Sequence, residues 1–304
     1  MRRGLIGGAV PIGYRWVALL VLVFSIWVCM AGADAQGGRV DHVFIVSIDG
    51  LRPDVLIRAQ TPNIDNLLKV GSYTWAAQTV QPSVTLPSHC SMVTGVTPQR
   101  HGVTWNDYQP GRGALPVPTV FTIAKAHGLT SAIVVAKEKL QTLALDRSVD
   151  TVRVVAGNAV QVAQAAAGDI EARQPSVVLV HFADVDGAGH GSGWGSNAQV
   201  AATQTCDQGL GLLLGAIHRS GLAARSVMIV TSDHGGHGRG HGTDQAIDMT
   251  IPWICAGTGV AAGQEIRTRV TVCDTAAMAL YAIGIVPPAD WDGHVVPGVF
   301  PRRG

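Results

Sequence analysis

Residues 42–50 read His-Val-Phe-Ile-Val-Ser-Ile-Asp-Gly, a short apolar run rich in β-branched residues that stops at an Asp-Gly pair. A run of that length, closed by a turn dipeptide, predicts a buried strand with a loop at its carboxyl end. The signature recurs at Ser131–Ala136 (SAIVVA), Thr151–Val155, Ser176–Phe182 (SVVLVHF), Ser226–Thr231 (SVMIVT) and Ile251–Ala256. Helical stretches lie between these runs. One starts at Thr61-Pro62-Asn63, with Ile64, Leu67 and Leu68 on one face. The others are the Ala-rich Ala159–Ala172, Asn197–Arg219 despite Gly209, Gly211 and Gly215, and the closing Asp274–Ile283. Strands alternating with helices predict an α/β fold: a single domain with a mostly parallel central sheet flanked by helices on both faces. In such sheets ligands bind beyond the carboxyl ends of the strands. The polar residues cluster there: Asp49 after the first strand, Asp184 and Asp186 after SVVLVHF, Asp233 and His234 after SVMIVT.

Of 304 residues, 47% are hydrophobic and 14% charged, enough apolar material for one large core and too little charge for a disordered chain. Net charge is +1, with no Lys/Arg block, which argues against binding duplex nucleic acid through a basic stripe. The first 35 residues differ from the rest. Arg2, Arg3 and Arg15 flank an apolar run from Trp16 to Met30, and Ala33-Asp34-Ala35 fits an A-x-A cleavage site. This predicts a signal peptide over 1–35 and a single domain over 36–304. The run is short for a bilayer span of roughly 20 residues, and an uncleaved membrane anchor is the alternative. The expectation is an exported protein, periplasmic or secreted, with no membrane contact beyond that segment. Cleavage leaves Cys90, Cys206, Cys255 and Cys273. Export permits disulfides, but spacing does not choose among the pairings, and no C-x-x-C points to a thiolate metal site. Oligomeric state is not legible.

Asp186 and His190 are four apart in Asp186-Gly-Ala-Gly-His190, Asp233 and His234 are adjacent, and His241 follows in Gly-His-Gly-Thr. Singly these are ordinary: Asp-Gly is a turn signal and a lone His is commonly structural. Together with Asp49, six carboxylate and imidazole donors at strand ends suit Zn²⁺ and suffice for two ions, although Mn²⁺ or Fe takes similar donors. Asp184 is an alternative ligand. His237 is either a partner of the ligands or a solvated loop residue. In Gln81-Pro-Ser-Val-Thr-Leu-Pro-Ser-His89, Thr85 precedes an apolar stretch. Its hydroxyl either caps a helix or stands at a helix N-terminus, where phosphate binds and an alkoxide is stabilised. In Val135-Ala-Lys137-Glu-Lys139-Leu, two lysines two apart in a strand extension face the same way. They form either a solvated edge or a pair of cations facing a substrate.

Ser47-Ile-Asp49-Gly-Leu-Arg-Pro-Asp, Thr61-Pro-Asn-Ile-Asp-Asn-Leu, Pro82-Ser-Val-Thr85-Leu-Pro-Ser-His, Asp186-x-x-x-His190, Ser232-Asp233-His234-Gly and Gly240-His241-Gly-Thr occur in this order. The ordered set resembles the alkaline phosphatase superfamily. It is most similar to the type I phosphodiesterase/nucleotide pyrophosphatase branch, from about Val43 to the closing Asp274–Gly284 segment. The resemblance implies an alkaline phosphatase-like catalytic domain that hydrolyses a small-molecule phosphate ester at a two-zinc site. Asp186, His190 and His241 would hold one ion, and Asp49, Asp233, His234 and the Thr85 oxygen the other. Thr85 would be the nucleophile, passing through a covalent phosphothreonine, and Asn106, in His101-Gly-Val-Thr-Trp-Asn106, would contact a phosphoryl oxygen. Lys137-Glu-Lys139-Leu is similar to a segment of phosphonoacetate hydrolases, and superfamily monoesterases carry Lys-x-Arg there. Monoester, diester and phosphonate substrates therefore stay open, with Lys137 and Lys139 as the expected substrate ligands. A sulfatase is disfavoured because its Cys/Ser-x-Pro-x-Arg motif is absent around Thr85. Only six residues separate His234 from His241, and the segment from there to the closing helix is short for this branch. A non-catalytic metal-binding member of the fold is the remaining alternative.

Overall fold

The computed structural model describes residues 40–301; the expected signal peptide, residues 1–35, lies outside the described residues. In chain order the elements are β1 (His42–Ile48), α1 (Pro53–Arg58), α2 (Pro62–Val70), β2 (Gly71–Gln78), α3 (Thr85–Thr94), α4 (Pro98–His101), α5 (Val120–Ala126), β3 (Ser131–Val135), β4 (Thr151–Val154), α6 (Ala159–Arg173), β5 (Val177–Phe182), α7 (Asp184–Ser192), α8 (Asn197–Arg219), β6 (Ser226–Thr231), α9 (Ala246–Met249), β7 (Thr250–Gly257), β8 (Gln264–Glu265) and α10 (Asp274–Ala282). Short 3-10 turns occupy Pro110–Arg112, Glu138–Ala144 and Ala223–Arg225.

The strands form one sheet in the order β4-β3-β5-β1-β6-β7-β2-β8. β1 runs parallel to both β5 and β6, with Ser47 opposite His181 on one side and Thr231 on the other. β7 is antiparallel to β6 and to β2. The expected mostly parallel α/β sheet is therefore observed. Its central strand is buried at every position, as a strand covered on both faces must be. Val43 and Ile45 enter one core layer with Leu86 and Met92 of α3, Phe121 of α5 and Met278 of α10. Phe44, Val46 and Ile48 enter the other, with Ile64 of α2, Val162 of α6 and Leu210 of α8.

Helix ends are set by identifiable side chains. Asn158 Oδ1 accepts from the Val160 and Gln161 amides, and Gln161 answers on the Asn158 amide, a capping box that starts α6. α8 continues through Gly209 because a Cβ there would lie 2.8 Å from the Ala159 carbonyl oxygen. The low helix propensity of glycine is offset by the close approach of α6 to α8. β2 was not anticipated. Its sequence Gly-Ser-Tyr-Thr-Trp-Ala-Ala-Gln lacks strict alternation, and its register against β7 is irregular between Thr74 and Ala77. All four cysteines in the described residues, Cys90, Cys206, Cys255 and Cys273, are buried free thiols. No helix of the described residues is long and apolar enough to cross a membrane.

The start of α2 is held from outside. Thr61 makes no side-chain cap. Instead Asp207 of α8, 2% exposed, accepts from the Asn63 and Ile64 amides at 3.2 and 2.8 Å and from Asn63 Nδ2 at 2.9 Å. Hydrogen bonds to a charged acceptor contribute about 1.5–3 kcal/mol net, and removing it strands a buried amide. Asp207→Ala is expected to lower unfolding free energy by about 2–3 kcal/mol in urea titration. A loss below about 0.5 kcal/mol, the range of a neutral surface change, would show that water replaces the carboxylate.

Candidate active site

The site is built where the central strands end. Asp49 follows β1, His181 is the penultimate residue of β5, Asp186 and His190 lie on α7, and Asp233 and His234 follow β6. Asp186 and His190 are four apart on one helix, so both side chains project from the same face. Asp49, Asp233 and His234 are fully buried and Asp186 nearly so.

The ligand-type atoms fall into two groups, Asp186/His190/His241 and Asp49/Asp186/His234. In the first, Asp186 Oδ1 lies 3.3 Å from His190 Nε2 and 3.6 Å from His241 Nε2. In the second, His234 Nε2 lies 3.3 Å from Asp49 Oδ1; the expected ligand Asp233 is not part of this group, although its Oδ2 lies 3.4 Å from the same nitrogen. Donor atoms arranged about one small cation at about 2.0–2.1 Å have about this mutual spacing. Asp49 Oδ1, Asp186 Oδ1, Asp233 Oδ2 and His234 Nε2 are all buried with no hydrogen-bond partner, a costly state for polar atoms unless a ligand completes them. The three imidazoles are presented in one way. His190 Nδ1 donates to Arg239 O, His234 Nδ1 to Gly235 O and His241 Nδ1 to Ser83 O. Donation to a carbonyl fixes the proton on Nδ1 and leaves Nε2 as a lone pair. Burial, then the stacked His234 ring 3.7 Å away, pushes the His241 pKa down to about 4, so it is neutral at physiological pH. The residues present therefore fit divalent cations.

Two buried histidines outside the expected set lie against the carboxylates, and one of them, His181, bonds Asp49. His181 Nε2 lies 2.8 Å from Asp49 Oδ2, while its Nδ1 accepts from the Ala136 amide. His89 Nδ1 donates to Thr85 O at 2.8 Å, its Nε2 accepts from Ser47 Oγ, and Asp233 Oδ2 is 3.5 Å away. Burial, followed by the His181 charge, lowers the His89 pKa to about 3. The signal for His181 was present: one histidine in an otherwise apolar strand, SVVLVHF, facing Ser47 in register.

Thr85 is the first residue of α3 and makes no capping bond; Val84 takes the cap position. Its buried Oγ1 lies 3.5 Å from Asp49 Oδ2 and 3.3 Å from Lys137 Nζ. Asn106 Oδ1 accepts from the Leu86 amide at 2.9 Å, the next residue of α3, leaving its NH₂ as a donor. Lys137 Nζ is 2.7 Å from Asp49 Oδ2 and 2.6 Å from Asp186 Oδ2. Burial opposes its charge, but Asp49 and Asp186 outweigh that and raise the ammonium pKa above its ordinary value. Burial also disfavours the Asp49 anion, yet Lys137 and His181 together hold its pKa well below the usual range. Asp233 goes the other way, raised by burial and then by the Asp49 charge.

Three expectations are corrected. Lys137 and Lys139 do not share a strand face, because β3 stops at Val135 and the chain turns into the 3-10 segment Glu138–Ala144. Only Lys137 reaches the carboxylates; Lys139 is half-buried beside it, its pKa lowered by burial and then by Lys137. Asp184 does not line the groups, since its Oδ1 accepts from the Ala159 amide at the start of α6. His237 is neither a partner of the ligands nor freely solvated: its Nδ1 lies 2.7 Å from the buried Asp248, which also takes the Thr243 amide and hydroxyl.

An α/β domain whose strand ends bring two groups of candidate cation ligands close to a helix N-terminal threonine defines a fold and site of the alkaline phosphatase type. The model of the type I phosphodiesterase/nucleotide pyrophosphatase family matches residues 43–249, and the chain belongs to that family. It is 25% identical over 240 residues to ectonucleotide pyrophosphatase/phosphodiesterase family member 3 of Mus musculus, covering 69% of this chain and 27% of that protein. It is 30% identical over 90 residues to a bis(5'-adenosyl)-triphosphatase of Xenopus laevis, covering 30% of this chain and 20% of that one. The chain thus spans about a quarter of the length of these relatives. Among solved structures, an inactive murine ectonucleotide pyrophosphatase/phosphodiesterase 5 in complex with AMP superposes with a TM-score of 0.71 at 15% identity, over 82% of this chain and 96% of that one. A putative sulfatase from Bacteroides thetaiotaomicron gives 0.74 at 15% identity, over 88% and 76%. Both show the shared fold.

Cation binding to the folded state alone raises stability by mass action, by about 4 kcal/mol at a thousandfold excess over Kd. Zn²⁺ or Mn²⁺ is expected to raise the thermal midpoint of the chelator-treated protein, with EDTA reversing the shift. In Asp186→Asn, whose carboxylate serves both groups, most of that shift should vanish. A midpoint indifferent to every divalent cation would contradict the fit.

Proposed function

We propose that the chain is an exported hydrolase of phosphoric esters that uses two divalent cations, Zn²⁺ by its donor set, and Thr85 as nucleophile. The observation that carries this reading is the convergence of four unpartnered buried ligand atoms at the strand ends, one of them on Asp49, whose other oxygen lies 3.5 Å from the Thr85 hydroxyl. Export rests on residues 1–35 alone. Relatives named as nucleotide pyrophosphatases, and a neighbour in complex with AMP, support a nucleotide or related diester among the candidate substrates.

When bound, the cations supply Lewis acidity, lowering the pKa of a hydroxyl or water and offsetting charge that develops on phosphorus oxygens. The chain's own residues set the geometry. The N-terminal end of α3 places Thr85 Oγ1 where the helix dipole favours an oxyanion, with Asp49 Oδ2 beside the proton it must lose. Attack of Oγ1 on phosphorus breaks the bond to the ester oxygen, which leaves as the alcohol with the proton Thr85 gives up, and forms phosphothreonine; water then breaks the Oγ1–P bond in line, freeing phosphate from a monoester or a phosphomonoester from a diester and returning a proton to Oγ1. The Asn106 NH₂ and Lys137 Nζ are the donors available to non-bridging oxygens. His181 keeps Asp49 oriented, and the Gly50 and His234 amides hold Asp233 through its Oδ1.

A second reading concerns charge. A partly buried ammonium 3.3 Å from the proposed nucleophile favours a substrate with two negative charges, a phosphomonoester or a carboxylated phosphonate such as phosphonoacetate, over a singly charged diester. The discriminating experiment compares kcat/KM for p-nitrophenyl phosphate, bis-p-nitrophenyl phosphate and phosphonoacetate. Diester preference would assign the chain to phosphodiester chemistry and make Lys137 structural. Preference for either dianion would make it a substrate ligand, and Lys137→Met should then reduce kcat/KM for the dianion more than for the diester. Thr85→Ala should reduce turnover of the preferred substrate by at least about 10³-fold, as expected for loss of a covalent nucleophile, with metal content retained. Turnover unaffected by Thr85→Ala would remove the nucleophile assignment. Full metal content with no turnover of any ester would favour a non-catalytic metal-binding protein.

A further inference from the structure

The segment Gly191-Ser-Gly-Trp-Gly195 has no part in the mechanism above, yet its tryptophan touches every strand-end segment that carries ligand-type atoms. Trp194 is 9% exposed. Its ring stands edge-on to His190, 5.0 Å between centroids at 89°, and tilted against His241 at 5.6 Å. Its Nε1 donates to Gly50 O at 3.1 Å, the residue after Asp49, and its amide donates to Gly238 O at 2.8 Å, in the loop between His234 and His241. A cradle of glycines admits the indole. A Cβ at Gly189, beside His190, would lie 2.7 Å from it, and one at Gly236, two residues after His234, would lie 2.3 Å from it. The imidazole of His190 is otherwise half-exposed, with Nδ1 bonded to Arg239 O and Nε2 3.3 Å from Asp186 Oδ1.

We propose that Trp194 is a positioning residue: it packs against the rings of His190 and His241 and thereby sets the cation affinity of the Asp186/His190/His241 group. The proposal rests on the metal-dependent reading above. An indole that only filled space would touch the core; this one packs against both rings of one ligand group and is tied to the backbone beside the other. Partners that orient ligands typically change metal affinity about 10–100-fold when removed.

The test is zinc stoichiometry and affinity, measured on the full chain by competition with a chromophoric chelator, for wild type, Trp194→Ala and Trp194→Phe. The expected result is two ions in wild type, one of them weakened about 10–100-fold in Trp194→Ala and largely restored in Trp194→Phe, which keeps a ring without the N–H. Equal loss at both ions, no loss at either, or no rescue by Phe would overturn the proposal. Trp194→Leu serves if the alanine variant does not fold: it keeps apolar bulk without a ring face and should weaken the same ion, and wild-type affinity in it would overturn the proposal. A wild type that binds no zinc removes the metal reading itself, a result distinct from one confined to the variants.

Discussion

Asp49, Asp186 and Asp233 are three carboxylates buried together, a crowd that a folded protein tolerates only with compensating charge. The sheet forces the crowd. β1 lies between β5 and β6 in parallel register, so the chain leaves all three strands at the same edge. Short loops and the first turn of α7 then bring their acidic side chains to one point. Burial raises the Asp233 pKa, while Lys137 and His181 keep Asp49 ionised. The neighbouring residues can be understood as responses to this concentration of charge.

The sequence showed the sheet and the acid/imidazole set well because both follow from strong local signals. Buried parallel strands read as apolar runs, and each ends at a polar turn, so the ends of SVVLVHF and SVMIVT announced where chemistry would lie. What was illegible depended on contacts across the fold. β2 has no clean periodicity and is a strand because β7 pairs with it. Thr61 opens α2 in the sequence, but the carboxylate that satisfies that helix start comes from Asp207, 144 positions away. The paired-lysine reading assumed that β3 continued past Val135, but the chain turns there into a 3-10 segment and only Lys137 reaches the carboxylates. Asp184 and Asp186 are equivalent in sequence; the helix phase of α7 turns one toward Ala159 and the other toward His190.

Glycine content around the site has a physical reason at two positions. Gly50 adopts φ +73°, and a Cβ there would lie 3.0 Å from the Asp186 Cα. Only glycine accepts that backbone conformation without strain, and the absent side chain lets the segment after Asp49 approach α7. Gly236 clears the Trp194 indole in the same way. The small residues are thus what allows three separate loops to reach one point.

The position of Lys137 bears on whether its ammonium competes with the cations or accompanies them. It takes Oδ2 of both Asp49 and Asp186. The oxygens left unpartnered on the same two residues are the Oδ1 atoms, and those are the ones that face His234 on one side and His190 and His241 on the other. Each carboxylate is therefore divided, one oxygen to the lysine and one to an imidazole group. An ammonium standing in for a divalent ion would occupy the imidazole-facing oxygens; this one does not. Lys137 is geometrically compatible with both groups filled, and in that state it adds a positive charge within reach of Thr85 Oγ1. With both groups filled as proposed, the positive charge around Thr85 Oγ1 would exceed what the three carboxylates neutralise, and a doubly charged phosphoryl group would gain more there than a singly charged one.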